Sequence, residues 1–264
     1  MTLPQETNVQ VDLEWDDEHV VPDNVTPDLI FLFDRMIEAT IEKVDPARGD
    51  KVLDVGCGRA VDAIKIALKG GTTVGLEPSR TMLGHSKRCV DESGTSMALV
   101  QGIGEDLPFK SNSFDWVMCK GALDHFPDPY RTMEEIARVL TPEGRAVISI
   151  ANFESLGHRL GRKAHRLTRF VPRREPQKRQ AWETPPDHTL RFDYPLIRQV
   201  VCSHLVIEES SGICLLWGAP LWDRITSIMP RRLAFFVMGA LDKLARRYPG
   251  ISDVVLVECS RKPM

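Results

Sequence analysis

The chain has 264 residues, close to the upper limit for one hydrophobic core, so a single elaborated domain is expected. Apolar residues make up 42% and charged residues 27%, the balance of an ordinary soluble globular protein. A formal net charge of -3 excludes a general attraction to nucleic acid, and six scattered cysteines without a C-x-x-C pair argue against a disulfide framework and for a reducing cytosol.

From the N-terminus, charge is unevenly placed. No Lys or Arg precedes Arg35, while Glu6, Asp12, Glu14, Asp16, Asp17, Glu18 and Asp23 crowd the start, and the stretch from Arg159 to Arg179 is strongly basic. Mutual attraction of the two segments, or partners for each, explains such asymmetry. No basic region followed by an apolar run marks a secretory signal, so a cytoplasmic location is expected. Residues 1–50 read as an acidic segment and helix that could cover a site.

From Lys51 short apolar runs alternate with helical periodicity. Residues 51–55 read as a buried strand running into Gly56-Cys57-Gly58, and a helix follows with Val61, Ile64, Ala67 and Leu68 on one face, ended by Gly70-Gly71. Strands are predicted at 72–76, 97–101, 114–119 and 145–150, with helices near 81–91 and 130–140 and a turn at Pro142-Glu143-Gly144. A helix at 194–202 and strands at 205–209 and 253–260 complete the pattern, which means βαβ units and a parallel sheet. Two segments break the alternation, and they are read as inserts at 151–190 and 215–248 in a domain spanning 51–264. Both follow strands whose carboxyl ends should line the ligand crevice of an open α/β sheet.

The sharpest constellation is Asp54, Gly56, Cys57 and Gly58 at a strand-to-helix turn, followed by Glu77 at the tip of the next strand and then Pro78. Glycines let the backbone approach a ligand, and an acid at the second tip is placed to accept bonds from two ribose hydroxyls. A dinucleotide fingerprint wants a third glycine where Val61 stands, and the Asp54 carboxylate opposes a pyrophosphate. A cationic nucleoside suits the turn better.

These residues resemble the class I methyltransferases of the ubiquinone and menaquinone biosynthesis type, the type 11 methyltransferase domain. The resemblance covers residues 51–150 well and 188–262 more loosely. Asp54 to Gly58 is similar to the family's first motif, with Ala60 replacing its frequent third glycine, and Glu77 to its ribose-binding acid. The run Gly104-Glu105-Asp106-Leu107-Pro108-Phe109 is similar to its adenine-side motif, and Lys120 to Asp128 to the segment beside the reaction centre. The resemblance implies a Rossmann-like α/β fold: a seven-stranded, mainly parallel sheet with helices on both faces and a helical substrate cap. It implies S-adenosyl-L-methionine as cofactor, held by Asp54, Gly56, Cys57, Gly58, Glu77, Pro78, Gly104, Glu105 and Lys120.

The implied reaction is in-line transfer of a methyl group to an O or C nucleophile, with a general base only where the nucleophile must lose a proton. His125 is the first candidate base, with His188 and Tyr194 behind it; pocket wall and packing roles compete for all three. His158, His165 and His204 carry no comparable positional argument, and no metal-ligand spacing is present.

Apolar residues at Phe153, Leu156, Leu160, Ala164, Leu167 and Val171, interleaved with Arg159, Arg162, Lys163, Arg166 and Arg169, give a basic amphipathic helix pattern. A helix docked on its own domain, contact of 153–179 with an anionic membrane, and recognition of an anionic substrate compete for it. The second insert, from Leu215 through Trp217, Trp222, Ile228 and Phe236 to Leu241, reads as core or as pocket lining. Together the inserts favour a small, lipophilic acceptor. The rival readings are an NAD(P)- or nucleotide-sugar-binding oxidoreductase and a non-catalytic cofactor-binding module. A nucleic-acid substrate is not expected, because few aromatics interleave with the basic charges.

Overall fold

A computed structural model of the protein describes residues 11–17, 25–168 and 180–263. Helix α1 (Pro27–Lys43) precedes β1 (Lys51–Val55), α2 (Val61–Leu68), β2 (Thr72–Glu77), α3 (Arg80–Ser93), β3 (Ala98–Gln101) and β4 (Phe114–Lys120). Then come α4 (Pro129–Val139), β5 (Leu140–Ala151), α5 (Leu156–Thr168), α6 (Tyr194–Val201), β6 (Leu205–Ile213), α7 (Trp222–Ile228), α8 (Arg231–Arg247) and β7 (Val254–Arg261). The seven strands form one sheet in the order β3-β2-β1-β4-β5-β7-β6. β7 runs antiparallel to both of its neighbours and the other pairings are parallel. This is the Rossmann-like architecture that the resemblance implied.

Alternation along the strands splits the core in two, because successive side chains point to opposite faces. Leu53, Val55, Val117 and Cys119 face α4 and α6, packing on Met133, Ile136, Ile197 and Val200. Val52 and Met118 face the other way, toward Leu32 of α1 and Ala63 and Ile66 of α2. Asp54 and Lys120 fall on this second face by the same parity, which carries both toward the start of α2.

Several sequence expectations are corrected. β5 starts at Leu140, and the Pro142–Gly144 turn is a bulge inside it: Phe114 pairs with Leu140 and Trp116 with Arg145, so the intervening residues loop out. The apolar stripe expected on α5 is not its buried face. Leu160 and Leu167 are exposed, whereas Gly157, His158 and Gly161 are buried. Glycine decides this: a Cβ on Gly157 would lie 2.0 Å from the Trp217 carbonyl oxygen, and one on Gly161 2.2 Å from the Trp182 ring. Only glycine lets α5 approach the loop before α7 so closely. Arg169, Val171 and the rest of the basic run to Arg179 lie outside the described residues, as do Glu6, Glu18 and Asp23. Among the described residues no helix is long and apolar enough to cross a membrane.

Candidate active site

The crevice is built at the carboxyl ends of β1, β2 and β4. Gly56 and Gly58 hold φ of +72° and +53°, a left-handed conformation that glycine adopts without strain. A Cβ on Gly56 would meet that of Ala122 at 2.6 Å, so the turn is pressed against the loop after β4. Ala60 also lies in the left-handed region, at φ +59°, where the family more often has glycine; its methyl is fully buried. The Cys57 side chain lies under β2 at Gly75, so only its backbone is available to the crevice, and burial pushes its thiol pKa up.

Glu77 ends β2 with its carboxylate 6% exposed. Its Oε2 accepts the Gly58 N–H at 3.0 Å and its Oε1 the Ser79 N–H at 3.1 Å. Burial raises its pKa, and the two backbone bonds oppose the shift. Each oxygen keeps a second lone pair for a ligand hydroxyl. The Pro78 carbonyl accepts from the Gln101 amide at 3.0 Å, which fixes the strand tip.

Beneath the glycine turn lies a second charge cluster. Lys120 Nζ pairs with Asp62 Oδ2 at 2.9 Å, and buried Asp54 lies beside them. Burial pushes the Asp54 carboxyl well above its ordinary value, the Asp62 and Glu77 charges push it further, and Lys120 opposes them. Three carboxyl groups against one ammonium make this a site that a cationic ligand relieves. Gly104 packs under Phe126 and Thr132, and Glu105 accepts the Asp128 N–H at 3.1 Å, joining the β3–β4 connection to the loop after β4.

On the acceptor side the structure brings together two of the three candidate bases and adds a residue that sequence reasoning passed over. His188 Nδ1 lies 3.0 Å from Oδ2 of Asp124, and the His125 and His188 rings meet edge to face at 4.7 Å. His125 Nδ1 faces Asp187 at 3.5 Å, and its Nε2 faces Asp124 Oδ1 at 3.9 Å. Burial pushes Asp124 up to about 7. Asp124, His125 and His188 are close enough to share a metal ion as well as a proton. Tyr194 is elsewhere, packed on Gly250 and under the Arg198 guanidinium. His158, which sequence gave no role, is buried between Phe153 and Trp217, and burial pushes it down to about 4. The adjacent Asp124-His125 pair was the available signal for Asp124; His188 stands among the candidate bases, but nothing local in the sequence pairs it with Asp124.

The acidic N-terminal segment does not pair with α5 among the described residues; it lies along the crevice rim. Asp17 makes a two-pronged ion pair with Arg59, Asp16 lies 3.3 Å from His85, and Glu14 lies 3.8 Å from Arg80. The Trp15 carbonyl accepts from Ser79 Oγ at 2.6 Å, its indole N–H reaches Asp187 at 3.1 Å, and its ring stands against His125.

A mainly parallel sheet with a glycine turn at β1 and an acid at the tip of β2 is the Rossmann-like class I methyltransferase fold. Over residues 53–148 the chain matches the methyltransferase domain family. It is 37% identical over 119 residues to methyltransferase GfsG of Streptomyces halstedii, covering 44% of this chain and 43% of that protein. It is 34% identical over 113 residues to the ubiquinone biosynthesis O-methyltransferase of Vibrio parahaemolyticus, covering 42% and 48%. The chain thus spans about half the length of these curated relatives. Geranyl diphosphate C-methyltransferase from Streptomyces coelicolor, solved with Mg2+, geranyl diphosphate and S-adenosyl-L-homocysteine, shares the fold at a TM-score of 0.57 and 16% identity, over 89% of this chain and 81% of that one.

Proposed function

We propose that the protein is an S-adenosyl-L-methionine-dependent methyltransferase acting on a small, lipophilic acceptor at oxygen or carbon. The observation that carries the proposal is the charge of the crevice: Asp54 is surrounded by the Asp62 and Glu77 carboxylates, and the one ammonium beside it is Lys120, itself paired with Asp62. That donor set fits a ligand bearing an ammonium and a sulfonium, and the two lone pairs left on Glu77 fit a ribose diol. The residues assigned to hold it are Asp54, Glu77 and Lys120 through their side chains, and Gly56, Cys57, Gly58, Pro78, Gly104 and Glu105 along the walls. When bound, the cofactor supplies an electrophilic methyl group with a neutral thioether as leaving group. A dinucleotide is disfavoured, because the same carboxyl groups oppose a pyrophosphate.

The chain's own contribution is alignment, exclusion of water and removal of a proton. With the Asp124 carboxylate 3.0 Å from His188 Nδ1, the Nε2 of that ring is assigned to take the acceptor's proton. Tilting against His188, His125 forms one wall, and Trp15 covers it from the rim. Tyr194 is assigned a packing role. The apolar acceptor is inferred from Phe153, whose ring stands edge-on to His188 at 5.8 Å, and from the names of the ubiquinone and geranyl diphosphate enzymes that the chain resembles. Incubation with cofactor labelled in the methyl group tests the proposal: label should enter the organic phase of a lipid extract. Transfer only to water-soluble acceptors overturns the substrate class, and no transfer with any acceptor overturns the activity.

A further inference from the structure

The outer faces of α7 and α8 carry apolar side chains that the fold does not use. On α7, Leu221, Ile225 and Ile228 recur along one stripe, away from buried Thr226. On α8, Leu233, Phe236, Ala240 and Leu244 recur on the side opposite buried Ala234, Met238, Asp242 and Ala245, which face inward. Ile228 is 83% exposed and Phe236 74%. Of the fourteen exposed large apolar side chains among the described residues, seven fall between Leu221 and Tyr248. Leu221 holds φ +61° at the turn into α7, so a leucine is kept in a costly backbone conformation and displayed to solvent. This concentration contradicts reading the second insert as buried core alone.

Charge says what covers this surface. Arg224, Arg231, Arg232, Lys243 and Arg247 are exposed around these stripes, and none of them has an ion pair among the described residues. Elsewhere Arg59, Arg131, Arg138, Arg145, Arg162 and Arg191 each hold a carboxylate. The region's acids are Asp223 and Asp242, and Asp242 is buried, bonded to Arg35 and Arg246. An apolar stripe with unneutralised cations at its edges meets the interface of an anionic bilayer, where side chains enter the acyl boundary and arginines meet headgroups. A second copy of the same face would set cation against cation.

We propose that the α7–α8 outer face docks the protein on anionic lipid membranes, with Ile228 and Phe236 as the inserting side chains. This places the contact on the second insert, whereas the sequence suggested 153–179. The first insert adjoins it, since Gly157 and Gly161 of α5 press on the loop leading into α7. The proposal stands whether or not the chain transfers methyl groups.

Flotation of the full chain tests it, using vesicles of phosphatidylcholine alone and of phosphatidylcholine mixed with phosphatidylglycerol. The protein should float with the mixed vesicles, less so in high salt, and not with the neutral ones. The double variant I228S/F236S should partition about tenfold less or weaker still, and R224Q/R231Q/R232Q should lose the salt dependence. All five positions are exposed, so far-ultraviolet circular dichroism and S-adenosyl-L-homocysteine binding should be unchanged in both variants; this separates failure of docking from failure of the methyltransferase reading. Three results overturn the proposal: equal flotation with both vesicle types, I228S/F236S floating like the parent, or a concentration-dependent dimer abolished by I228S/F236S in a parent that ignores vesicles.

Discussion

Replacing Glu77 by Gln probes the crevice at two atoms. The carboxylate accepts from Gly58 N at 3.0 Å and Ser79 N at 3.1 Å while nearly buried. Glutamine keeps the size and one acceptor oxygen but turns an NH2 group toward the other donor, so one buried N–H loses its partner. That loss costs about 1–3 kcal/mol, and for a chain of this size each kcal/mol lowers Tm by about 2–4 °C. Ligand binding suffers separately. The ribose loses a hydrogen bond to a charged acceptor, worth about 1.5–3 kcal/mol, which is about 10- to 150-fold in Kd. Calorimetric titration with S-adenosyl-L-homocysteine, beside a thermal melt, reads both effects. A variant that melts lower yet binds as tightly as the parent would refute the reasoning, leaving Glu77 a brace for the glycine turn and no more.

Other consequences follow from buried groups. Burial pushes Asp253 up to about 7 despite the Trp217 N–H it accepts, so the native state holds this proton where an unfolded chain releases it near 3.8. Stability from this group is complete below that lower value and is lost as pH rises to about 7; Asp253→Asn should flatten this part of the melting curve against pH, and an unaltered slope would contradict it. Asp124→Asn should lower kcat by roughly 10²- to 10⁴-fold without changing cofactor affinity. In the parent, kcat should rise with pH through about 7 as Asp124 ionises. Because the cluster is assigned to proton transfer, activity should survive EDTA; loss of activity restored by a divalent ion would make Asp124, His125 and His188 a metal site instead. Trp15→Ala should speed cofactor release in stopped-flow displacement, since the indole ties the rim to Asp187 and stands against His125; an unchanged off-rate would show that this side chain is no barrier.

The fold was legible because parallel strands buried on both faces read as apolar runs, and glycine turns punctuate them. β1 and α2 begin where the pattern set them, and Asp54 and Glu77 arrive at adjacent strand tips. What local pattern could not show was which residues from distant segments meet. Asp124 and His188 are far apart in sequence, and their pairing depends on how the segment before α6 returns over β4. Leucine spacing normally marks the buried side of a helix, and α5 departs from that rule. Here backbone-to-backbone proximity put glycines inward and left Leu160 and Leu167 in solvent. Charge asymmetry alone leaves open whether the acidic segment meets the basic run or other partners; its described acids reach Arg59, Arg80 and His85 at the crevice.

The central claim is that a nucleoside carrying a positive sulfur lies against these carboxyl groups. Titrating the protein with S-adenosyl-L-methionine and with its uncharged-sulfur product, at several pH values, tests it most directly. The methylated form should bind at one site and tighten more steeply with rising pH than the product does, because burial and neighbouring acids push the Asp54 carboxyl well above its ordinary value and a cation beside it favours the charged form. Absence of saturable binding for either compound, or identical pH dependence for both, would contradict the account.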